Sequence, residues 1–175
     1  MITHKLNANL ENIHAITTSQ YSDLGVCYQA FKEHLEKNGF RIYPTEFDCG
    51  RSYHPLVDIA ARMGSFYWAF EYKSWNDSIA RGVEQVKCYS DWFDYVVLVS
   101  EKPIRHTDSK HYWNLRSIGA GIWNYHPLLD KCIITKNPTI QSPAKNNRKM
   151  VARRFKSLEK TISRSKSSEI FRTLT

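Results

Sequence analysis

"HPLVDIAARMGSFYWAFEYKSW", residues 54 to 75, contains two apolar segments that charged side chains interrupt. Asp58 lies inside the first segment, and Glu71 and Lys73 lie inside the second. Charged residues rarely enter a buried strand, because an unpaired buried charge costs several kcal/mol. These three side chains therefore need partners, and finding those partners decides which fold and which chemistry the sequence predicts.

The residues around this stretch predict a helix-and-sheet pattern. The two apolar segments read as strands joined by a hairpin-sized "MGS" turn, in which Gly64 can adopt a positive φ. The predicted order is helix 19–38, strands 40–47, 55–62 and 66–74, helix 76–93 and strand 95–100. This αβββαβ order predicts an α/β fold, with a central mixed β-sheet flanked by helices.

Beyond residue 100 the pattern is weaker. A short helix is expected at 111–119, and "AGIWNY" and "KCIIT" read as two strands of a small β appendage. A Pro/Asn/Ser-rich linker follows. In "RKMVARRFKSLEKTISR" the residues Phe155, Leu158 and Ile162 recur at helical spacing, which predicts an amphipathic basic helix near the C-terminus.

Length and composition favour one folded domain. The chain has 175 residues, of which 42% are hydrophobic. We expect one domain over 1–144, with its core at about 20–100, and a basic tail over 145–175. No apolar run approaches the roughly 20 residues that span a bilayer, and the first 20 residues lack the apolar stretch of a secretory signal. A cytoplasmic protein without a membrane partner is therefore expected.

The charge is unevenly distributed. The net charge is +8, and residues 145–172 hold ten Lys/Arg against two acids, which leaves 15 basic and 15 acidic side chains in residues 1–144. A concentrated basic segment attracts polyanions, of which nucleic acid is the commonest in a cell. A solvated tail that only aids solubility is the alternative. The candidate nucleic-acid-binding residues are Lys145, Arg148, Lys149, Arg153, Arg154 and Lys156.

The period of a strand brings the three charges of the opening stretch together. Glu71 and Lys73 point to one face, and Trp68, Phe70 and Tyr72 point to the other. If the hairpin register is correct, Asp58 on the neighbouring strand meets Glu71 and Lys73. Two carboxylates at such close range repel each other, and a divalent cation such as Mg²⁺ relieves this. A salt bridge between Lys73 and either acid is the structural alternative.

The motif resembles that of a known family. Asp58, followed after thirteen residues by Glu71-Tyr72-Lys73 within the αβββαβ order, resembles the PD-(D/E)XK nuclease superfamily over about residues 20–100. Gln85 and Tyr89 also resemble the Gln-X-X-X-Tyr motif of some of its branches. Val57 stands where the motif has proline.

The resemblance implies a restriction-endonuclease-like core and a role for each motif residue. Asp58, Glu71 and the main-chain carbonyl of Tyr72 would bind Mg²⁺, with Mn²⁺ as a substitute. Lys73 would be the catalytic lysine and Gln85 an auxiliary, although Gln85 also fits a polar helix flank. Some branches carry a further acidic residue on the first helix. The candidates for it in this sequence are Glu33 and Glu36, and Glu46 on the first strand is a third.

Three functions stay open at this point. The leading interpretation is a metal-dependent endonuclease that hydrolyses phosphodiester bonds, with DNA as the expected substrate and a symmetric homodimer as a way to cut two strands. A non-catalytic nucleic-acid-binding protein is the alternative, and a protein-interaction domain is a third. Deleting 145–175 is expected to weaken binding and leave the site intact. Three tryptophans have two alternative roles, stacking on the bases of a single strand or packing in a core or interface: Trp92, Trp113 and Trp123.

Overall fold

A computed structural model of the chain describes residues 24–44, 46–49, 56–105 and 110–173, and within them side chains from residue 27 to residue 161. The expected start of the first helix, at residues 19–23, lies outside the described residues. The elements are α1 (Leu24–Lys37), β1 (Arg41–Ile42), β2 (Ile59–Met63), β3 (Phe66–Lys73), α2 (Ile79–Tyr89), β4 (Tyr95–Ser100), α3 (Lys110–Ser117), β5 (Gly121–His126), a 3-10 turn (Pro127–Leu129), β6 (Lys131–Lys136) and α4 (Lys145–Thr173).

The described strands form one six-stranded mixed sheet in the order β1-β2-β3-β4-β5-β6. The pairs β3–β4 and β4–β5 are parallel, and the other three pairs are antiparallel. With four described helices around it, this is the predicted α/β fold, and it is compatible with a restriction-endonuclease-like core. Among the described residues, no helix is both long and apolar enough to cross a membrane.

Two parts of the sheet differ from the sequence prediction. The strand expected at 40–47 is reduced to the two residues of β1, because the chain bends at Pro44, whose ring holds φ at about −65°. Phe47 then returns to form an isolated bridge with Val57. The strands expected in an appendage, β5 and β6, instead extend the main sheet, with β5 parallel to β4.

Each face of the sheet is covered by helices. On one face, Phe31 and Leu35 of α1 pack against Phe70 and other side chains of the central strands. On the opposite face, Val86 and Tyr89 of α2 pack over the same strands. Glu71 and Lys73 point to the α2 face, and Phe70 and Tyr72 point to the α1 face, as strand alternation predicts.

Helix α4 is the predicted amphipathic basic helix, and it packs firmly on the α2 side of the sheet. Phe155 is 1% exposed and contacts the rings of Tyr43, Phe47 and Tyr67 at centroid distances of 5.2 to 6.0 Å. The Nε of Arg148 lies 2.6 Å from a carboxylate oxygen of the buried Asp94. The first turns of α4 therefore belong to the same packed core as the sheet.

Candidate active site

The hairpin between β2 and β3 sets the position of the two acids. Gly64 in the connecting turn has a φ of +59°, which glycine adopts without a steric penalty. The resulting register pairs Ile59 with Phe70, so that Asp58, one residue before β2, lies opposite Glu71. The structure therefore brings Asp58, Glu71 and Lys73 together at the end of β3.

Glu71 is fully buried and hydrogen-bonded through both carboxylate oxygens. Lys73 Nζ lies 2.5 Å from Oε1, and the hydroxyl of Tyr89 donates to Oε2 at 2.6 Å. Burial is the main cause that raises the pKa of Glu71 to about 7, and the negative charge of Asp58 is the second. The hydrogen bonds from Lys73 and Tyr89 oppose this rise. The salt bridge that the structural alternative predicted is therefore formed, and it coexists with a close pair of acids.

Asp58 is held by main-chain and side-chain hydrogen bonds. Its Oδ2 accepts a hydrogen bond from the main-chain N–H of Tyr72 at 2.9 Å, and its main-chain carbonyl accepts one from the hydroxyl of Tyr28 at 2.5 Å. Burial raises the pKa of Asp58, against the opposing effects of the Tyr72 N–H and of Lys73. The Asp58 carboxylate is thus fixed in position before any ligand binds.

The three candidates for a further acidic residue differ in whether they lie near the site. The charge of Glu46 adds to the effect of burial in raising the pKa of Asp58. Burial, and after it the charges of Asp58 and Glu46, raise the pKa of Tyr28 to about 12. Glu33 and Glu36 are exposed on α1, and Glu33 accepts a hydrogen bond from Gln29. Of the three, Glu46 is the acid whose charge reaches the site.

The main chain at Tyr72 completes one side of the site. The N–H and C=O groups of one strand residue point to the same neighbouring strand, and successive residues alternate. Because the Tyr72 N–H points to Asp58 and the carbonyl of Lys73 accepts from Glu101 N on the β4 side, the Tyr72 carbonyl faces Asp58. The carbonyl that the resemblance names as a metal ligand therefore lies on the same side of β3 as Asp58.

Helix α2 supplies the other side of the site. The hydroxyl of Tyr89 also lies 2.8 Å from the carbonyl of Leu56, and Gln85 lies one turn before Tyr89 on the same helix. The Oε1 atom of Gln85 is buried and has no hydrogen-bond partner among the described residues. A buried amide oxygen without a partner is costly. The position of Gln85 therefore supports a site-facing role over a solvated helix flank.

Gly82 is a site residue that the motif did not reveal. A Cβ at this position would lie 2.7 Å from Leu98 Cδ1 and 3.0 Å from Lys73 Cε. Glycine therefore lets α2 approach β3 closely and confines the Lys73 side chain. The signal in the sequence was its position three residues before Gln85 and seven before Tyr89, which places all three on one helix face.

Gly82→Ala is expected to destabilise the protein, even though alanine is favoured by about 1 kcal/mol over glycine within a helix. The added methyl group must push α2 away from Leu98 and Lys73, and overpacking of this kind costs about 1–3 kcal/mol. Urea unfolding measures the change in free energy. Glu84→Ala, on the exposed side of the same helix, should change the stability by less than about 0.5 kcal/mol. A more stable Gly82→Ala protein would contradict the close approach.

The donor atoms fit a hard divalent cation. Two carboxylates, a main-chain carbonyl and an unpartnered amide oxygen are oxygen ligands of the kind that Mg²⁺ prefers. No group of three or more His, Cys, Asp or Glu residues suited to a metal ion occurs in the described parts of the chain. A cation here would therefore depend on the two acids, with oxygens of Tyr72 and Gln85 as further donors.

A second polar cluster lies on the opposite face of β3. Glu101 is 4% exposed, and its carboxylate accepts hydrogen bonds from the hydroxyl of Tyr72 at 2.7 Å and from Trp75 N at 3.1 Å. Asn124 donates to the Glu101 carbonyl at 3.0 Å. These contacts fix the main chain on both sides of Lys73. Sequence reasoning did not identify Glu101, because no local pattern links it to the motif.

The candidate nucleic-acid-binding residues fall into two groups. Arg148 pairs with Asp94, and the guanidinium of Arg154 lies over the ring of Phe47 with an Nη 4.0 Å from Asp48. These two arginines therefore join α4 to the body. The other four side chains are exposed on α4: Lys145, Lys149, Arg153 and Lys156.

The three tryptophans also differ. Trp92 and Trp123 are buried in the core, at 3% and 8% exposure. Trp113 is 53% exposed, and the guanidinium of Arg116 lies 5.1 Å from the centre of its ring. Two of the three are therefore core residues.

Comparison with known proteins does not assign the chain to a family. No family model matches this sequence, and no curated protein matches it. A crystal structure of an XisH family protein from Nostoc punctiforme PCC 73102 matches at a TM-score of 0.44 and 16% sequence identity, covering 67% of this chain and 99% of that chain. The function must therefore be inferred from the residues of the site.

Proposed function

We propose that this protein is a metal-dependent endonuclease of the PD-(D/E)XK type, acting on DNA. The observation that carries the proposal is the register of the β2–β3 hairpin, which places Asp58 opposite Glu71 with Lys73 bonded to Glu71. A buried acid beside a half-buried one, both of raised pKa, is costly for a fold, and such arrangements are concentrated at functional sites.

Each residue of the site has a role in this proposal. Asp58, Glu71, the Tyr72 carbonyl and Gln85 would hold Mg²⁺ or Mn²⁺, which when bound polarises a phosphate and lowers the pKa of water. Tyr89 holds Glu71 in place. Lys73 Nζ would orient the attacking water or stabilise the charge that develops on the phosphate.

The alternative is a nucleic-acid-binding protein without catalytic activity. It is favoured by one observation: Glu71 already has the Lys73 ammonium and the Tyr89 hydroxyl as partners, so its burial is satisfied without a metal. In that case the three residues would stabilise the end of β3 and nothing more.

A cleavage panel distinguishes the two. Purified protein is incubated with supercoiled, linear, single-stranded and branched DNA, in Mg²⁺, Mn²⁺ or EDTA. We expect cleavage of at least one substrate with either metal and none in EDTA. Asp58→Asn, which keeps the shape of the side chain, should abolish cleavage and retain DNA binding. Binding without cleavage by the unsubstituted protein in both metals would support the alternative. Size-exclusion chromatography tests the proposed homodimer.

A further inference from the structure

Helix α4 segregates its charges between two sides. Five exposed cations recur at steps of four, four, three and four residues, and together they form the basic stripe: Lys145, Lys149, Arg153, Lys156 and Lys160. At 3.6 residues per turn these positions fall within one narrow arc of the helix surface. The acid Glu159 instead faces the body, where it pairs with Arg41 at 2.7 Å and Arg62 at 3.0 Å.

The basic stripe has the dimensions of a phosphate-binding surface. The 15 helical steps from Lys145 to Lys160 correspond to about 22 Å along the helix axis, and neighbouring cations lie about 5–6 Å apart at Cβ. Core residues of α4 occupy the opposite side, since Val151 and Phe155 are 0% and 1% exposed. All five cations are therefore presented to solvent in one row.

The row is also fixed relative to the body. The Arg148 guanidinium donates two hydrogen bonds to the Asp94 carboxylate and one to the carbonyl of Ser65, and Asn147 donates to the carbonyl of Asp91. The helix that carries the cations is thus ordered before any partner binds. A surface that is already ordered loses less entropy on binding.

The chemistry of the stripe favours a duplex over a single strand. Surfaces that bind single strands combine cations with aromatic side chains on which bases stack. Within the described side chains of α4 the aromatic residue is Phe155, which is buried. The stripe therefore offers charge without a stacking surface, which suits a polymer whose bases are already stacked.

B-form DNA fits a helix better than duplex RNA does. Its major groove, about 12 Å wide, admits an α-helix and exposes phosphates on both sides. The major groove of A-form RNA is too deep and narrow for side chains to enter. Contacts made by lysine and arginine to phosphates carry no base information. A stripe of this kind would therefore bind DNA without sequence preference.

We propose that the basic stripe of α4 binds the phosphate backbone of double-stranded DNA, without reading its sequence. This proposal rests on the proposed function in one respect: the stripe would present DNA to the proposed active site. With five phosphate contacts, the slope of log affinity against log salt should be about −4.5. Affinity should therefore fall about 500-fold between 50 and 200 mM salt.

The test is fluorescence anisotropy with labelled duplexes in EDTA, where metal-dependent cleavage does not occur. Replacing all five stripe residues by glutamine should reduce the salt slope by about 4.5 and weaken binding at 50 mM salt by about 100-fold or more. The matched control replaces five exposed cations outside α4 by glutamine, and we expect it to weaken binding less than about 5-fold: Arg81, Lys87, Lys102, Lys110 and Lys131. Thermal unfolding checks that both variants remain folded.

Several results would overturn the proposal. These are an unchanged salt slope in the stripe variant, an equal loss of affinity in the control, or tighter binding to a single strand or an RNA duplex than to the DNA duplex. The outcome is independent of catalysis. Salt-sensitive duplex binding without cleavage in Mg²⁺ would refute the nuclease proposal and leave this one intact. A stripe variant that cleaves DNA and binds it with unchanged affinity would refute this proposal and leave the nuclease proposal intact.

Discussion

Lys73→Met is expected to slow Mg²⁺-dependent cleavage by about 1,000-fold and to leave duplex affinity unchanged. The substitution removes the ammonium group that lies 2.5 Å from Glu71 and keeps an unbranched side chain against Gly82. The fold should tolerate it, because burial and Asp58 already raise the pKa of Glu71 to about 7, so that this carboxyl group can accept a proton when the ammonium is lost. Single-turnover cleavage of a labelled substrate measures the rate.

Lys87→Met is the matched control for this prediction. Lys87 lies on α2 and is exposed, so its replacement removes the same charge near the same helix without touching the site. We expect its cleavage rate to stay within about twofold of the unsubstituted protein. Equal rates for Lys73→Met and the unsubstituted protein would mean that Lys73 serves only the salt bridge with Glu71.

Phe155→Ala is expected to lower the free energy of unfolding by about 4 kcal/mol. The side chain fills the space between α4 and the sheet, where it contacts Tyr43, Phe47 and Tyr67, and its removal leaves a cavity lined by rigid rings. Much of the stability of a typical domain would be lost. Urea unfolding followed by tryptophan fluorescence measures the difference.

Lys156→Ala, the next residue on the same helix, controls for helix propensity. It is exposed, and its replacement should change stability by less than about 0.5 kcal/mol. A loss below about 1 kcal/mol for Phe155→Ala would show that α4 is not part of the core. If the larger loss is found, deleting residues 145–175 would damage the fold as well as binding, so that substitutions on the exposed side are the better test of the basic tail.

Local patterns were sufficient to predict much of the sheet. The β-branched run "YVVLVS" predicted β4 with its observed bounds, and Gly64 located the turn that sets the hairpin register. Strand alternation then put Glu71 and Lys73 on one face, and the register put Asp58 opposite Glu71. These predictions succeeded because each depends on residues that are close together in the sequence.

The rest of the site depends on contacts between distant segments. Tyr28 reaches the Asp58 carbonyl across 30 positions, and Glu101 reaches Tyr72 across 29. No period or motif marks such pairs, because which side of a helix meets which strand is decided by packing. The same reason explains why Arg148 was grouped with the exposed cations, although its partner Asp94 lies 54 positions earlier.

The order of the strands in the sheet has a consequence for how the chain folds. Each strand lies beside its neighbour in sequence, so the sheet can grow from β1 to β6 through hairpins and single-helix crossovers, without pairing strands that are distant in the sequence. Helix α4 depends on a more distant contact, since its Glu159 pairs with Arg41 across 118 positions, whereas His34 of α1 pairs with Asp130 across 96. We therefore expect docking of α4 to be the late step of folding, with the aromatic pocket for Phe155 exposed to solvent until that helix arrives.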